Sequence, residues 1–329
     1  KFRDYQIRII NTATGVLQAH RFVYLSMEVR TGKTLTALGV AEKLGITNLL
    51  FVTKKKAISS IEADYKKLMP GYQITVINYE SLHKVEGVFD FVVLDEAHTL
   101  GAYPKPSKRT KLVKQIILRQ NPFVVLMSGT PTPESFSQIY HQVYACAKNP
   151  FSQYKTFYKF AKEYVNVTQQ MFHSMPSNNY DDGKPEILDR MKPYMISYTQ
   201  KEAGFKSKIQ EHVLKVQMSE LTYRFVKEMK EVILGDTGVK KMSKIHQLFS
   251  GTVKLENGKR MITDLSKAKF IRTEFKNQKI GIFYKFKAEY DALKQVYGDA
   301  LTDDLEDFNS TNKNIALQIV SGREGISLK

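Results

Sequence analysis

"FVYLSMEVRTGKT" (residues 22–34) opens on apolar residues and closes on a glycine, a lysine and a threonine. Its first part, "FVYL" (22–25), is aromatic and β-branched without polar interruption, the composition of a strand buried on both faces. The residues that follow, "TLTALGVAEKLG" (34–45), are good helix formers and end on Gly45, a helix stop. A buried strand that turns through a short loop into a helix is the unit of a doubly wound α/β sheet. In such sheets ligands gather at the carboxyl ends of the strands.

The same texture recurs on the C-terminal side. "LLFVT" (49–53), "ITVI" (74–77), "FVVL" (91–94) and "FVVLMS" (123–128) read as further buried strands, so residues 1–147 form one α/β domain. From 148 to 200 the pattern changes. "NPFSQYKTFYKFAKEYV" (149–165) places aromatics and lysines at helical spacing, and "SMPSNNYDDGKPE" (174–186) has the composition of a loop. This region reads as a helical insertion or linker whose aromatics serve packing. From 201 to 329 an α/β texture returns. "EHVLKVQMS" (211–219) reads as a strand, "ELTYRFVKEMKEVI" (220–233) as a helix, and "KIGIFYKF" (279–286) and "IALQIV" (315–320) as buried strands. "GTVKLENGKRMIT" (251–263) reads as a hairpin turning at Asn257-Gly258, both positions suited to positive φ.

Composition narrows the class. Apolar residues are 42% and charged ones 25% of 329, ordinary for a globular protein, and no apolar run reaches a membrane span. Cys146 is the single cysteine, which excludes an internal disulfide and a multi-cysteine zinc site and fits the reducing cytoplasm. Fifty basic against 33 acidic residues leave +17. Such an excess suits a polyanionic partner, nucleic acid being the commonest, with a merely soluble basic protein as the alternative.

Gly32-Lys33-Thr34 at the start of a helix presents backbone N–H groups to an anion, and the helix dipole favours negative charge there. In that setting Lys33 reaches the β- and γ-phosphates of a nucleotide and the Thr34 hydroxyl ligates Mg²⁺. The pattern departs from GxxxxGK[ST] at its first position, Met27, and a solvated helix cap is the plain alternative. "FVVLDEAHTL" (91–100) adds weight by ending a buried strand on two carboxylates. Asp95 is placed to bind the same Mg²⁺ through water, and Glu96 to act as general base toward the water that attacks the γ-phosphate. A solvated acidic turn is the competing reading of the pair. His98 has no partner histidines at metal-ligand spacing and reads as a link between the nucleotide site and the surface above it.

"LDEAH" (94–98), with "GKT" (32–34) upstream and "SGTP" (128–131) downstream, resembles motifs I, II and III of superfamily 2 helicases and translocases. "MEVRTGKT" (27–34) and "VINYESL" (76–82) resemble the Swi/Snf-like branch, and "PYMISYTQKEAGFKSKI" (193–209) and "SGREGISLK" (321–329) resemble its phage-encoded members. The resemblance implies two RecA-like lobes, ATP and Mg²⁺ as the nucleotide and metal, and DNA as the preferred partner, with RNA the alternative. For a phage-encoded member the host cytoplasm is the expected location. It implies that Gln6 of "FRDYQ" reads adenine and that Arg30, Thr31, Gly32, Lys33 and Thr34 cradle the phosphates, with Gly325 of "QIVSGREGISL" (318–328) joining the nucleotide site. Ser128 and Thr130 would couple nucleotide to lobe movement. Lys54, Lys55 and Lys56 of "LLFVTKKKAI" (49–58), Tyr79, Lys285 and Ser321 would meet the nucleic-acid backbone. Any one of these lysines is more often a solvated charge than a contact, and Tyr79 fits a core as well. Gly322 is followed by Arg323-Glu324 where the branch has a second glycine, and no "QxxxR" motif VI with its arginine finger follows within the 329 residues. A longer enzyme with an incomplete second lobe here is therefore expected. A binding scaffold with a decayed nucleotide site stands as the alternative from a different class.

Overall fold

The computed structural model describes residues 2–172, 175–205, 210–231 and 238–319. The chain divides into two compact units, Lys1–Lys208 and Ile209–Lys329.

In the first unit the order is α1 (Asp4–His20), β1 (Phe22–Met27), α2 (Lys33–Leu44), β2 (Asn48–Thr53), α3 (Ile58–Leu68), β3 (Gln73–Asn78), β4 (Phe91–Leu94), α4 (Lys108–Gln120) and β5 (Phe123–Ser128). There follow α5 (Ile139–Val143), α6 (Phe157–Tyr164), β6 (Thr168–Phe172), β7 (Met175–Asn179), α7 (Glu186–Met191) and β8 (Met195–Tyr198). Six strands form one sheet in the order β3-β2-β4-β5-β1-β8, every pair parallel. The phosphate-loop strand β1 is therefore two places from β4, with β5 between them.

The unbroken apolar runs are explained by two cores. Val23, Leu25, Met27, Phe51, Phe91, Val93 and Val125 point to one face, where α1, α2 and α3 cover them. Their alternates Phe22, Tyr24, Val52, Val92, Leu94, Val124 and Leu126 point to the other, against α4, α5 and residues 145–165. With period-2 alternation, a strand covered on both sides must be apolar at every position.

Residues 148–200 differ from the expected helical insertion. Phe151, Phe157 and Phe160 are buried in the first unit's core, β6 and β7 pair as an antiparallel hairpin, and β8 is the sheet's sixth strand. Part of the expected loop 174–186 is thus β7. "MISY" (195–198) is short and only half buried, which is what an edge strand requires and why its apolar signal is weak.

The second unit holds α8 (Glu220–Glu231), α9 (Gly238–Phe249), β9 (Thr252–Lys254), β10 (Arg260–Ile262), α10 (Ser266–Glu274), β11 (Gly281–Tyr284), α11 (Lys287–Tyr297), β12 (Leu301–Thr302), α12 (Leu305–Ser310) and β13 (Asn314–Gln318). A parallel sheet β11-β13-β12 packs through Ile282 and Ala316 against Ala268 of α10 and Leu293 of α11. Residues 211–219, the expected strand, pair with no strand among the described residues; Val213 is 88% exposed, and Met218 is the one apolar side chain of the segment that is buried. The hairpin β9–β10 forms as expected, with a different turn. Gly258 N–H bonds to Leu255 O, and Leu255 N–H bonds to Lys259 O. Only Gly258, at φ 83°, uses positive φ; Asn257 does not. That is a tight turn followed by a glycine bulge. No helix among the described residues is long and apolar enough to cross a membrane.

Candidate functional site

The chain leaves β1 at Met27 and enters α2 at Lys33 through a tight loop. Thr31 is fully buried, and its hydroxyl donates to Glu28 O at 2.6 Å. Gly32 caps the helix with φ 77°, and a Cβ there would sit 2.6 Å from Gln6 Nε2. Only glycine allows that approach and that backbone together. Gln6 Nε2 donates to Gly32 O at 3.3 Å, and Tyr5 donates its hydroxyl proton to Thr31 O at 3.0 Å. The residues "RDYQ" (3–6) are thereby set against the loop. Arg30 adopts φ 65°, the left-handed region that favours glycine.

Sequence reading missed a buttress on the far side. Glu28 N–H donates to Tyr198 O at 2.9 Å, Gln200 N–H to Glu28 Oε2 at 2.8 Å, and Gln200 Nε2 to Val29 O at 3.0 Å. The Tyr198 ring stacks on Tyr5 with centroids 4.6 Å apart. A half-buried edge strand carries no periodic signal that could have flagged these residues.

Lys33 is half-buried, with its ammonium 3.3 Å from Glu28 O. Burial pushes its pKa down, while the negative charges of Glu96 and then Asp95 draw it back up. Those three side chains therefore interact electrostatically at the carboxyl edge of the sheet. Gly129 leaves room there, since a Cβ on it would stand 3.7 Å from Lys33 Nζ.

Asp95 follows β4, opposite Thr53, whose hydroxyl donates to Asp95 Oδ2 at 2.7 Å. Burial raises the Asp95 carboxyl, and the Thr53 hydroxyl, the Glu96 backbone, Lys33 and Lys54 oppose that rise. Thr53 was a missed residue with a legible signal: a hydroxyl closing an otherwise apolar strand. Glu96 adopts φ 49° and approaches His98 Nδ1 at 3.3 Å. The same His98 Nδ1 lies 2.9 Å from Ser128 Oγ, which also accepts the Thr130 N–H at 3.1 Å. Ser128 is fully buried, so the end of β5 ties the histidine to the "SGTP" loop.

Among the expected nucleic-acid residues, Lys54, Lys55 and Lys56 follow β2 at the same sheet edge, Lys55 and Lys56 exposed. Tyr79 is corrected: its ring is only 2% exposed, its hydroxyl donates to Asp95 O at 2.6 Å, and the Arg109 guanidinium lies 4.9 Å above it. It positions the acidic turn from inside and has no surface to offer a polynucleotide. Lys285 is exposed in the second unit, directly after β11. Ser321 and Gly325 lie outside the described residues.

The donor set fits Mg²⁺ with a nucleotide. Hard oxygen ligands are offered by the Thr34 hydroxyl and the Asp95 carboxylate, and no cluster of three or more acidic, histidine or cysteine side chains among the described residues competes as a metal cage. A profile of the SNF2-related domain matches residues 20–269, well over half of the chain. The chain belongs to the SNF2-related family. The SWI2/SNF2 ATPase core domain of Sulfolobus solfataricus shares the fold of this SNF2-related chain, with a TM-score of 0.50 over 97% of this chain and 76% of that one at 13% identity. A protein of Invertebrate iridescent virus 3 named putative helicase 109L is 28% identical over 122 residues, 29% of this chain. The chain spans 37% of that relative's length. The SNF2-related chain thus carries the family's RecA-like ATPase core.

Proposed function

We propose that this chain is the motor core of an ATP-dependent DNA translocase or helicase. The observation that supports the reading most is the meeting of Lys33, Asp95 and Glu96 at one edge of the sheet. The lysine follows a backbone cradle that excludes a side chain at Gly32, and the carboxylates stand two strands away. In this reading the α2 N-terminus and Lys33 bind the phosphates, and Gln6 orients the base. Glu96 takes the proton of the attacking water, and Tyr79 and Thr53 hold the acidic turn in register. Thr34 and Asp95 would hold Mg²⁺, which when bound neutralises phosphate charge. Ser128, between His98 and Thr130, passes the state of the site to the "SGTP" loop. Nucleotide binding and loss would then alternately favour closed and open arrangements of the two lobes along a nucleic-acid strand.

ATP hydrolysis by the intact chain should rise with duplex or single-stranded DNA; stimulation by RNA alone would overturn the DNA reading. Lys33→Ala should abolish equilibrium binding of ATP. Equal binding by the variant and the parent would remove the phosphate loop from the site and leave a nucleic-acid-binding scaffold.

A further inference from the structure

The hairpin β9–β10 has no role in the reading above, yet its charges are arranged in an unusual way. Lys254 and Arg260 are direct cross-strand partners in the register. Two like charges placed opposite each other on a hairpin destabilise it. Both side chains line a cleft of about 410 Å³, which Lys285 and Lys287 line from the turn joining β11 to α11, with Val253 and Phe286 as apolar wall. Among the described residues, no acidic side chain lines the cleft. Of the nearby carboxylates Glu289 is engaged elsewhere, and Asp291 meets Arg260 from outside the lining. Glu289 accepts the backbone N–H groups of Lys285 and Phe286 at 2.9 and 2.8 Å and pairs with Lys267 at 3.5 Å. Asp291 reaches Arg260 only at 3.7 Å.

Four cations on two walls, against the single half-exposed Asp291 contact on Arg260, form a site of net positive potential whose like-charge repulsion an anion would relieve. A single phosphate would engage one wall. The distribution over both walls suits a run of phosphodiesters passing between them, held by charge and free of base-edge contacts.

We propose that the β9–β10 hairpin is one wall of a nucleic-acid backbone channel in the second unit, with Lys254 and Arg260 opposite Lys285 and Lys287. The proposal rests on the motor reading and adds the hairpin, outside the resembling motifs, to the contact that the resemblance already implies for Lys285. Labelled duplex and single-stranded DNA, titrated with the full chain by fluorescence anisotropy across a range of KCl, test it. In Lys254→Ala/Arg260→Ala the plot of log K against log salt should flatten by about 1.4 to 1.8, two contacts at ~0.7 to 0.9 each. Binding should weaken alike for all sequences, with ATP affinity unchanged. Swapping the two residues, Lys254→Arg/Arg260→Lys, should restore both affinity and slope, which separates charge from damage to the hairpin.

A control, Lys159→Ala/Lys162→Ala on α6, removes the same net charge elsewhere and should leave the slope unchanged. An unaltered slope in the hairpin double variant overturns the channel while leaving the motor reading intact. Inorganic tripolyphosphate that displaces DNA at equal phosphate concentration overturns it in favour of a small-anion site. A parent chain that binds no DNA or RNA at any salt overturns the motor reading itself.

Discussion

Glu96 holds the left-handed conformation at φ 49°, two residues after the strand end and within 3.3 Å of His98. A non-glycine residue there carries a local cost, kept where the surroundings over-determine it, and such positions cluster at functional sites. Here the surroundings are identifiable: Tyr79 fixes the Asp95 carbonyl and Thr53 fixes its carboxylate. Glu96→Gln preserves shape and removes the base. It should bind ATP as the parent does and lose about 10²- to 10⁴-fold in turnover, measured by phosphate release under saturating ATP. Parental turnover in that variant would take Glu96 out of the base role. Thr53→Val makes a different statement. It leaves Asp95 without its side-chain donor, so the carboxyl should titrate still higher. Activity should then fall off at a higher pH than in the parent as the solution is acidified, a shift readable in the pH–rate profile.

Elements differ in how plainly the sequence announces them. β1, β2, β4 and β5 were legible because burial on both faces writes an uninterrupted apolar run, and β3, an edge strand only partly buried, because Ile74, Thr75, Val76 and Ile77 are β-branched in succession. The phosphate loop and acidic turn were legible because each places charged residues where a buried strand stops. β8 was missed because it is a four-residue, half-buried edge strand with Ile196 as its one β-branched residue, and with it went Gln200 and Glu28, whose contacts to the loop are largely between backbone and side chain. The segment 211–219 failed the other way, its β-branched residues signalling burial that the fold does not supply.

In the second unit, Asp264 ties together elements that periodicity could not connect. Its carboxylate accepts Ser219 N–H at 2.7 Å, the Thr222 hydroxyl at 2.8 Å and Ser266 N–H at 2.8 Å, joining the starts of α8 and α10. Burial alone would raise its pKa, but the bonds from Ser266 and Ser219 outweigh that and hold it well below the usual carboxylate range. A depressed folded pKa means that the ionised form stabilises the fold. That contribution is complete above the ordinary carboxylate range and is lost as pH falls through it toward the lower folded value. Asp264→Asn should lower stability by about 1–3 kcal/mol near neutrality, with the gap to the parent narrowing in acid, as denaturant titrations at several pH values would read. Gly251→Ala tests the same junction sterically: at φ 79° its Cβ would fall 2.1 Å from Asp264 O. A loss of more than about 1 kcal/mol is expected.

At the scale of the molecule, the open question is which segment completes the first unit. Its aromatic side wall comes from beyond residue 147: Phe151, Phe157 and Phe160 are 1%, 3% and 0% exposed, and β8 closes one edge of the sheet beside the phosphate-loop strand. Each buried phenylalanine contributes about 1.5–3 kcal/mol, so three of them rival the ~5–15 kcal/mol that holds a whole domain folded. A chain ending at 147 would also leave β1 with an unpaired edge and Glu28 without its partners at Tyr198 and Gln200. A fragment of residues 1–205 should therefore unfold cooperatively in urea and keep its near-ultraviolet circular dichroism, whereas one of residues 1–147 should show neither and should aggregate. The ATP affinity of the longer fragment carries the argument one step further, because the phosphate loop is buttressed within it. Cooperative unfolding by residues 1–147 would mean that the aromatic segment is a dispensable insertion, and that β8 adds an edge to a sheet already stable without it.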